Sequence, residues 1–168
     1  LSQDRRVIPM LIVGTIPAGV LGVFLKKMAP SMWGIDIMDG FPAALTASLM
    51  LPITGLLMLS IPLLRARQRD EEALQEYQQL TYGQVFVIGC FQAFALLPGI
   101  SRSGSTIFAG ILTGLRSQAA ATFSFLLAIP AICGAMTLEL KDVIENGSTT
   151  SPVLLVTGAL ISFVVGLV

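Results

Sequence analysis

This sequence predicts an all-α integral membrane protein, a polytopic helix bundle with one re-entrant helix-loop-helix hairpin. Three observations point there. The 168 residues are 54% hydrophobic and 12% charged, with a mean hydropathy of +0.83, too apolar for an ordinary soluble domain of this length. Long apolar stretches recur at residues 7–25, 41–64, 117–140 and 152–168. Between the second and third of these, two apolar pieces too short to cross a bilayer meet at one polar turn, Pro98-Gly99-Ile100-Ser101-Arg102-Ser103-Gly104-Ser105-Thr106.

Residues 7 to 25 carry no charge over nineteen positions, close to the roughly 20 that a helix needs to cross about 30 Å of hydrocarbon. Gly14, Ala18 and Gly22 recur every fourth residue, a stripe of small side chains that lets a neighbouring helix approach closely. Pro17 interrupts the backbone hydrogen bonding and predicts a kink, and Lys26 and Lys27 end the span. Residues 28–40 form an interfacial connection in which Trp33 suits the headgroup level. Residues 41–64 are long enough to span with some tilt. From Arg65 the character inverts to a charged, solvated segment containing Glu72 and Glu76, a spacing that on a water-exposed stretch carries no catalytic weight.

Residues 82–97 would make a helix of about 24 Å and residues 103–115 one of about 20 Å, so neither crosses alone and a re-entrant hairpin over 82–115 is expected. Pro98 and Gly99 stop the first arm, and Ser103 is the expected N-cap of the second. Gly110 and Gly114 are expected to form a close-packing face on that arm. Residues 117–140, with Pro130 inside and Glu139 at the outer end, span again. A polar loop turning at Asn146-Gly147 leads to a last apolar helix over 152–168. The chain opens at Leu1 without an initiator Met and stops within an apolar segment, so a piece of a longer polypeptide is expected, forming one membrane domain over 1–168.

Charge and composition exclude several functions. Ten basic and ten acidic residues cancel, so no global field recruits nucleic acid. The absence of histidine removes imidazole acid–base chemistry and His-liganded zinc. Cys90 and Cys133 lie in apolar runs without metal-ligand spacing and are expected to be buried as small apolar residues. With the hairpin re-entrant, Arg5, Arg6, Arg65, Arg67, Arg69 and Arg116 share one side, against Lys26, Lys27 and Lys141 on the other. Six against three places the first side in the cytoplasm; a hairpin that crossed once would reduce the bias to five against four.

The chemistry concentrates in the central turn. An ionisable residue between membrane-embedded arms is expensive, so Arg102 must face protein or water, and such a residue marks a functional site. A helix beginning beside it offers unpaired N–H groups and a positive dipole end. A guanidinium grips phosphate oxygens bidentately, Ser101, Ser103, Ser105 and Thr106 add hydroxyls, and Gly99 and Gly104 let the backbone come close. The pattern predicts a phosphate cradle that is not a P-loop, because the Gly-Lys-Ser/Thr ending is missing.

Pro98-Gly99-x-Ser101-Arg102-Ser103-x-x-Thr106 resembles the signature of the bacterial undecaprenyl-diphosphate phosphatase family (BacA/UppP). Ile16-Pro17-Ala18 with Leu21-Gly22, Gly89-Cys90-Phe91-Gln92 and Phe123-Ser124-Phe125-Leu126-Leu127-Ala128-Ile129-Pro130 are similar to that family too, so the resemblance covers nearly the whole chain. It implies a multi-pass enzyme of the bacterial inner (plasma) membrane that hydrolyses undecaprenyl diphosphate, recycling the lipid carrier for cell-wall synthesis and conferring bacitracin resistance. It also implies two inverted repeats, each with a re-entrant hairpin, and a divalent cation, Mg²⁺ or Ca²⁺, at a site facing the periplasm. This chain would be one half of that inverted-repeat fold. The glutamate-rich hairpin of the other half has no counterpart in residues 1–81, and Gln92 stands where that hairpin has a glutamate.

On this resemblance Arg102, Ser101 and Ser103 are the expected catalytic residues, and Gly99, Ser105, Thr106 and Gln92 the substrate-binding ones, with polyprenyl diphosphate as the partner. No metal ligand is assigned in this chain; the cation's ligands and the base are expected outside it, since every carboxylate here lies in a loop or at a helix end. Association as a homodimer is left open. A lipid-phosphate transporter or flippase would use a broken helix in the same way, and a purely structural half of a larger assembly is a third possibility.

Overall fold

The computed structural model describes residues 4–25, 40–67, 74–147 and 151–167, and among them it is helical with no strand. The helices described are α1 (Asp4–Val23), α2 (Gly40–Arg67), α3 (Tyr82–Phe94), α4 (Arg102–Leu112), α5 (Ser117–Asn146) and α6 (Pro152–Leu167), with a 3₁₀ turn at Tyr77–Gln79. Three of them, over Arg6–Val23, Phe41–Ala66 and Ser117–Glu145, are long and apolar enough to cross a membrane, while α3 and α6 are shorter apolar helices. The expected interfacial connection with Trp33 and the charged residues 68–73 lie outside the described residues.

Two compact units divide the chain, Leu1–Ile132 and Cys133–Val168. In the second, the end of α5 carries a Lys141–Glu145 ion pair one helical turn apart, and α6 leaves Val153, Leu160, Phe163 and Leu167 exposed. The first unit holds the core and the polar turn.

In the first unit α1 packs on α3, α3 on α4, and α2 on α4. The small-residue stripe of α1 makes the first of these contacts possible. A Cβ on Gly89 of α3 would run into the Gly14 carbonyl oxygen, and one on Gly14 would come within 2.8 Å of the Leu127 Cδ1. Around this crossing Val85, Ile88, Phe123 and Leu127 are buried almost completely. Outward, Phe41, Leu49, Leu56 and Leu63 of α2 are exposed, an apolar surface that lipid accepts and water does not. Cys90 and Cys133 are also exposed, which corrects the expectation of burial. In a lipid-facing helix an apolar residue need not be inside, so apolar character no longer predicts burial.

The hairpin closes through its two open ends. Thr81 caps α3 in a reciprocal box, its hydroxyl accepting the Gln84 N–H at 3.3 Å while the Gln84 Oε1 accepts the Thr81 N–H at 2.8 Å. The amide of Gln84 then donates to the Thr113 carbonyl at the far end of α4, 2.9 Å away. Alongside, the Gln75 N–H donates to the Gly114 carbonyl and the Arg116 N–H to the Gln75 carbonyl, at 3.0 and 3.1 Å, with Arg116 and Glu76 forming an exposed ion pair at 3.8 Å. The chain therefore enters and leaves the hairpin at one place. Gly114 terminates α4 at φ +96°, with the Leu115 N–H bonding back to the Gly110 carbonyl and the Gly114 N–H to that of Ile111. Of the two glycines expected to form a packing face, Gly110 lies under Ala120, whereas Gly114 has open space around it and serves the turn instead.

Candidate functional site

Between the arms the backbone turns sharply. The Ile100 N–H donates to the Leu97 carbonyl at 3.2 Å, placing Pro98 and Gly99 at the centre of a turn whose second central residue has φ +92°. Proline's fixed φ suits the first position, and only glycine takes that φ at the second without strain. Gly99 also lies hard against the Ala47 backbone of α2, where a Cβ would overlap the carbonyl group.

Thr54 of α2 holds this turn. Its hydroxyl donates to the Gly99 carbonyl at 2.9 Å and accepts the Ser101 N–H at 3.2 Å. Neither backbone group has another partner among the described residues.

Helix α4 begins one step earlier than the sequence suggested. Ser101, not Ser103, is the N-cap: its backbone is extended, at φ −71° and ψ 115°, and its Oγ accepts the Gly104 N–H at 3.2 Å. The first intrahelical bond runs from the Ser105 N–H to the Ser101 carbonyl at 2.9 Å. An N-cap residue is itself extended, and Ser101, the first residue after the turn closed by the Ile100 N–H, has that conformation. Arg102 is thus the first helical residue. The N–H groups of Arg102 and Ser103 have no acceptor among the described residues, and the helix dipole adds its positive end there.

Arg102 is half-buried and Ser103 exposed. No carboxylate among the described residues pairs with the Arg102 guanidinium. The predicted Gly99, Ser101, Arg102 and Ser103 thus share one turn and the helix start that follows it. Thr106 and Ser105 are buried one turn further in. The Thr106 hydroxyl is engaged with the helix, donating to the Arg102 and Ser103 carbonyls at 3.0 and 3.2 Å, and it lies 2.6 Å from the buried Ser124 Oγ of α5. Gln92 sits within α3 on the other arm and is almost fully buried. The Gln92 Nε2 and the Ser105 Oγ are buried without a hydrogen-bond partner among the described residues. Buried polar groups are nearly always paired, so these two are exceptions within the hairpin arms.

Thr54 and Ser124 were not singled out as site residues. A threonine in a long apolar helix has no local pattern that gives it a distant partner, and Ser124 entered only as part of a string resembling the family.

A guanidinium, two free N–H groups and hydroxyls make a site for an anion. They have the wrong sign for a divalent cation, which needs hard oxygen ligands, usually carboxylates. Among the described residues no three acidic, Cys or His side chains come together to hold one. The residues here do not fit the Mg²⁺ or Ca²⁺ that the family resemblance implies.

Long apolar helices of spanning length, among described residues that hold no strand, define the class: an all-α membrane protein. The family model for bacitracin resistance protein BacA matches residues 1–168, and the chain belongs to that family. An undecaprenyl-diphosphatase of Rhodopirellula baltica is 45% identical across this whole chain, which covers 61% of the relative. One of Alkaliphilus metalliredigens is 34% identical over 98% of the chain and 55% of its own length. One of Methanothermobacter thermautotrophicus is 39% identical over 80% of the chain and 68% of its own length. The chain thus spans between about half and two thirds of the curated relatives it matches.

Proposed function

We propose that this chain carries the anion-binding half of an undecaprenyl-diphosphatase, which hydrolyses undecaprenyl diphosphate to undecaprenyl phosphate and inorganic phosphate. The activity recycles the lipid carrier for cell-wall synthesis and confers resistance to bacitracin. The observation that carries this reading is the half-buried Arg102 at the start of α4, beside two N–H groups without an acceptor and with no carboxylate partner among the described residues. The names of the relatives agree with it.

In this reading the Arg102 guanidinium takes two oxygens of the terminal phosphate, and the N–H groups of Arg102 and Ser103 take a third. The Ser103 hydroxyl, and the proton of the Ser101 hydroxyl, which is left free by its capping role, complete the grip. Gln92 and Ser105 are buried in the two arms, each with a polar atom that has no partner among the described residues. As the P–O bond to the lipid phosphate breaks and charge redistributes over the oxygens of the transferred phosphoryl group, these fixed donors stabilise it without having to reorganise. The arms 82–94 and 102–112 form a re-entrant hairpin, and the general base and any cation site come from parts of the longer family polypeptides that this chain does not span. The setting is the bacterial plasma membrane, and chemical crosslinking in mild detergent tests whether the protein stands there as a homodimer.

The test is phosphate release from undecaprenyl diphosphate by the purified protein at full family length, beside the 168-residue chain alone. We expect turnover by the former and none by the latter. Turnover by the chain alone above an Arg102→Ala control would show that its base has been misplaced. No release by the full-length protein would overturn the reading.

A further inference from the structure

We propose that Thr54 and Ser124 are positioning residues for Arg102, Thr54 of α2 fixing the turn in front of it and Ser124 of α5 fixing the helical turn behind it. The inference rests on the Arg102 turn being an anion site, and it holds whatever reaction follows binding.

The hydrogen-bonding arithmetic of each hydroxyl leads to it. A threonine hydroxyl has one proton and two lone pairs. Thr54 gives its proton to the Gly99 carbonyl and accepts from the Ser101 N–H, so one side chain closes the turn across a sequence separation of 45 and 47 residues. Thr106 gives its proton back to the helix, chiefly to the Arg102 carbonyl. At 2.6 Å from Thr106 either hydroxyl could be the donor, and with the Thr106 proton on the helix the role is assigned to Ser124, 18 residues distant in sequence. The result is a relay from α5 through Thr106 to the carbonyl of Arg102. The N–H of the residue before Arg102 and the carbonyl of Arg102 are thereby each tied to a different long helix.

Placement matters more here than at an ordinary surface. The guanidinium and the two N–H groups act together only if the first turn of α4 holds its orientation, and small displacements of preorganised donors are expensive. Beside the packing on α2, no other hydrogen bond among the described residues ties it to a neighbouring helix. Pro98 has no N–H, Gly99 has no side chain, and the motif's own capping bond, from the Gly104 N–H to Ser101, is internal to the turn and anchors it to nothing. Ser124 is 5% exposed, so no water competes for its proton. Thr54 is half-buried against the turn.

The test titrates pyrophosphate into the purified chain in lipid nanodiscs and reads the dissociation constant by calorimetry, with thermal unfolding followed on the same samples. Thr54→Val keeps the shape and removes the hydroxyl, Thr54→Ser keeps the hydroxyl, and Ser124→Ala removes the relay. Thr54→Val and Ser124→Ala should each weaken binding at least fivefold, and Thr54→Ser should stay within twofold of wild type. In an Arg102→Ala background neither Thr54→Val nor Ser124→Ala should weaken binding further, because there is no guanidinium left to place. A merely structural role would weaken binding equally in both backgrounds and would overturn the proposal. So would Thr54→Val and Ser124→Ala that bind as wild type does. If Thr54→Val does not fold, Ser124→Ala decides by the same comparison. Wild-type chain that takes no pyrophosphate would remove the anion site itself, a result distinct from failure of the positioning.

Discussion

Replacing Gly99 by alanine tests the geometry of the turn most severely. At φ +92° an L side chain sits in a region that costs about 1–2 kcal/mol. The new methyl group would also overlap the Ala47 backbone, and no rotamer change in a neighbour can relieve a clash with main chain. The turn must therefore lift off α2, releasing both hydrogen bonds to Thr54, each worth about 0.5–1.5 kcal/mol net. Together these predict a loss of about 2–5 kcal/mol. Gly55, one residue beyond Thr54 on the same helix, supplies the control. Its Cβ would meet open space, and alanine inside a helix is favoured over glycine by up to about 1 kcal/mol. Thermal unfolding of the purified variants in one detergent should show Gly99→Ala lowered by several degrees and Gly55→Ala unchanged or raised. A Gly99→Ala protein melting within about 1 °C of wild type would refute the clamped turn.

Other perturbations reach the rest of the fold. Gly89→Val should destabilise by about 1–3 kcal/mol or more, because its Cβ meets the Gly14 carbonyl across the α1–α3 crossing; chemical denaturation reads the loss, and a neutral result would mean that the crossing is not tight. Single cysteines at the exposed positions Gln79 and Gln118, in a background lacking Cys90 and Cys133, should be labelled by an impermeant maleimide from the same side of sealed vesicles, since the backbone bonds of Gln75 to Gly114 and Arg116 bring the hairpin's ends together. Labelling from opposite sides would sink the re-entrant hairpin. Arg116→Ala should change stability by less than about 1 kcal/mol if the exposed ion pair with Glu76 is its main role, as denaturation will show.

Much of this architecture was legible in the residues, for identifiable reasons. Charge-free runs set the long helices, since chain length against bilayer thickness leaves few alternatives. Pro98-Gly99 announced the break, because both residues act through their own backbone. The stripe at Gly14, Ala18 and Gly22 announced a close neighbour but not which one; Gly89 became its partner only once the chain had folded. Less visible were the features that depend on tertiary partners. The cap moved from Ser103 to Ser101 because the turn's non-helical backbone ends two residues sooner than the hydroxyl spacing implied. The box formed by Thr81 and Gln84 is a local signal that could have been found from sequence, whereas the bond from Gln84 to Thr113 could not. Thr54 and Ser124 act across 45 and 18 residues, and nothing in their own neighbourhoods separates them from hydroxyls that bond back to their own helix, as Thr15 and Thr46 do. The cysteines misled because burial rules drawn from water-soluble proteins invert where the solvent is lipid.

The most direct measurement is the turnover number for undecaprenyl diphosphate of the full-length protein carrying Arg102→Lys or Arg102→Ala, beside wild type and with unfolding temperatures on the same samples. Loss of one preorganised donor typically costs about 10²–10³ in turnover, and Arg102→Ala should lose at least that much. Lysine keeps the charge but not the planar two-pronged grip, so Arg102→Lys should fall between alanine and wild type, with both variants melting near the wild-type temperature. Turnover within about threefold of wild type for both, less than about 1 kcal/mol of barrier, would contradict a phosphate site at the start of α4.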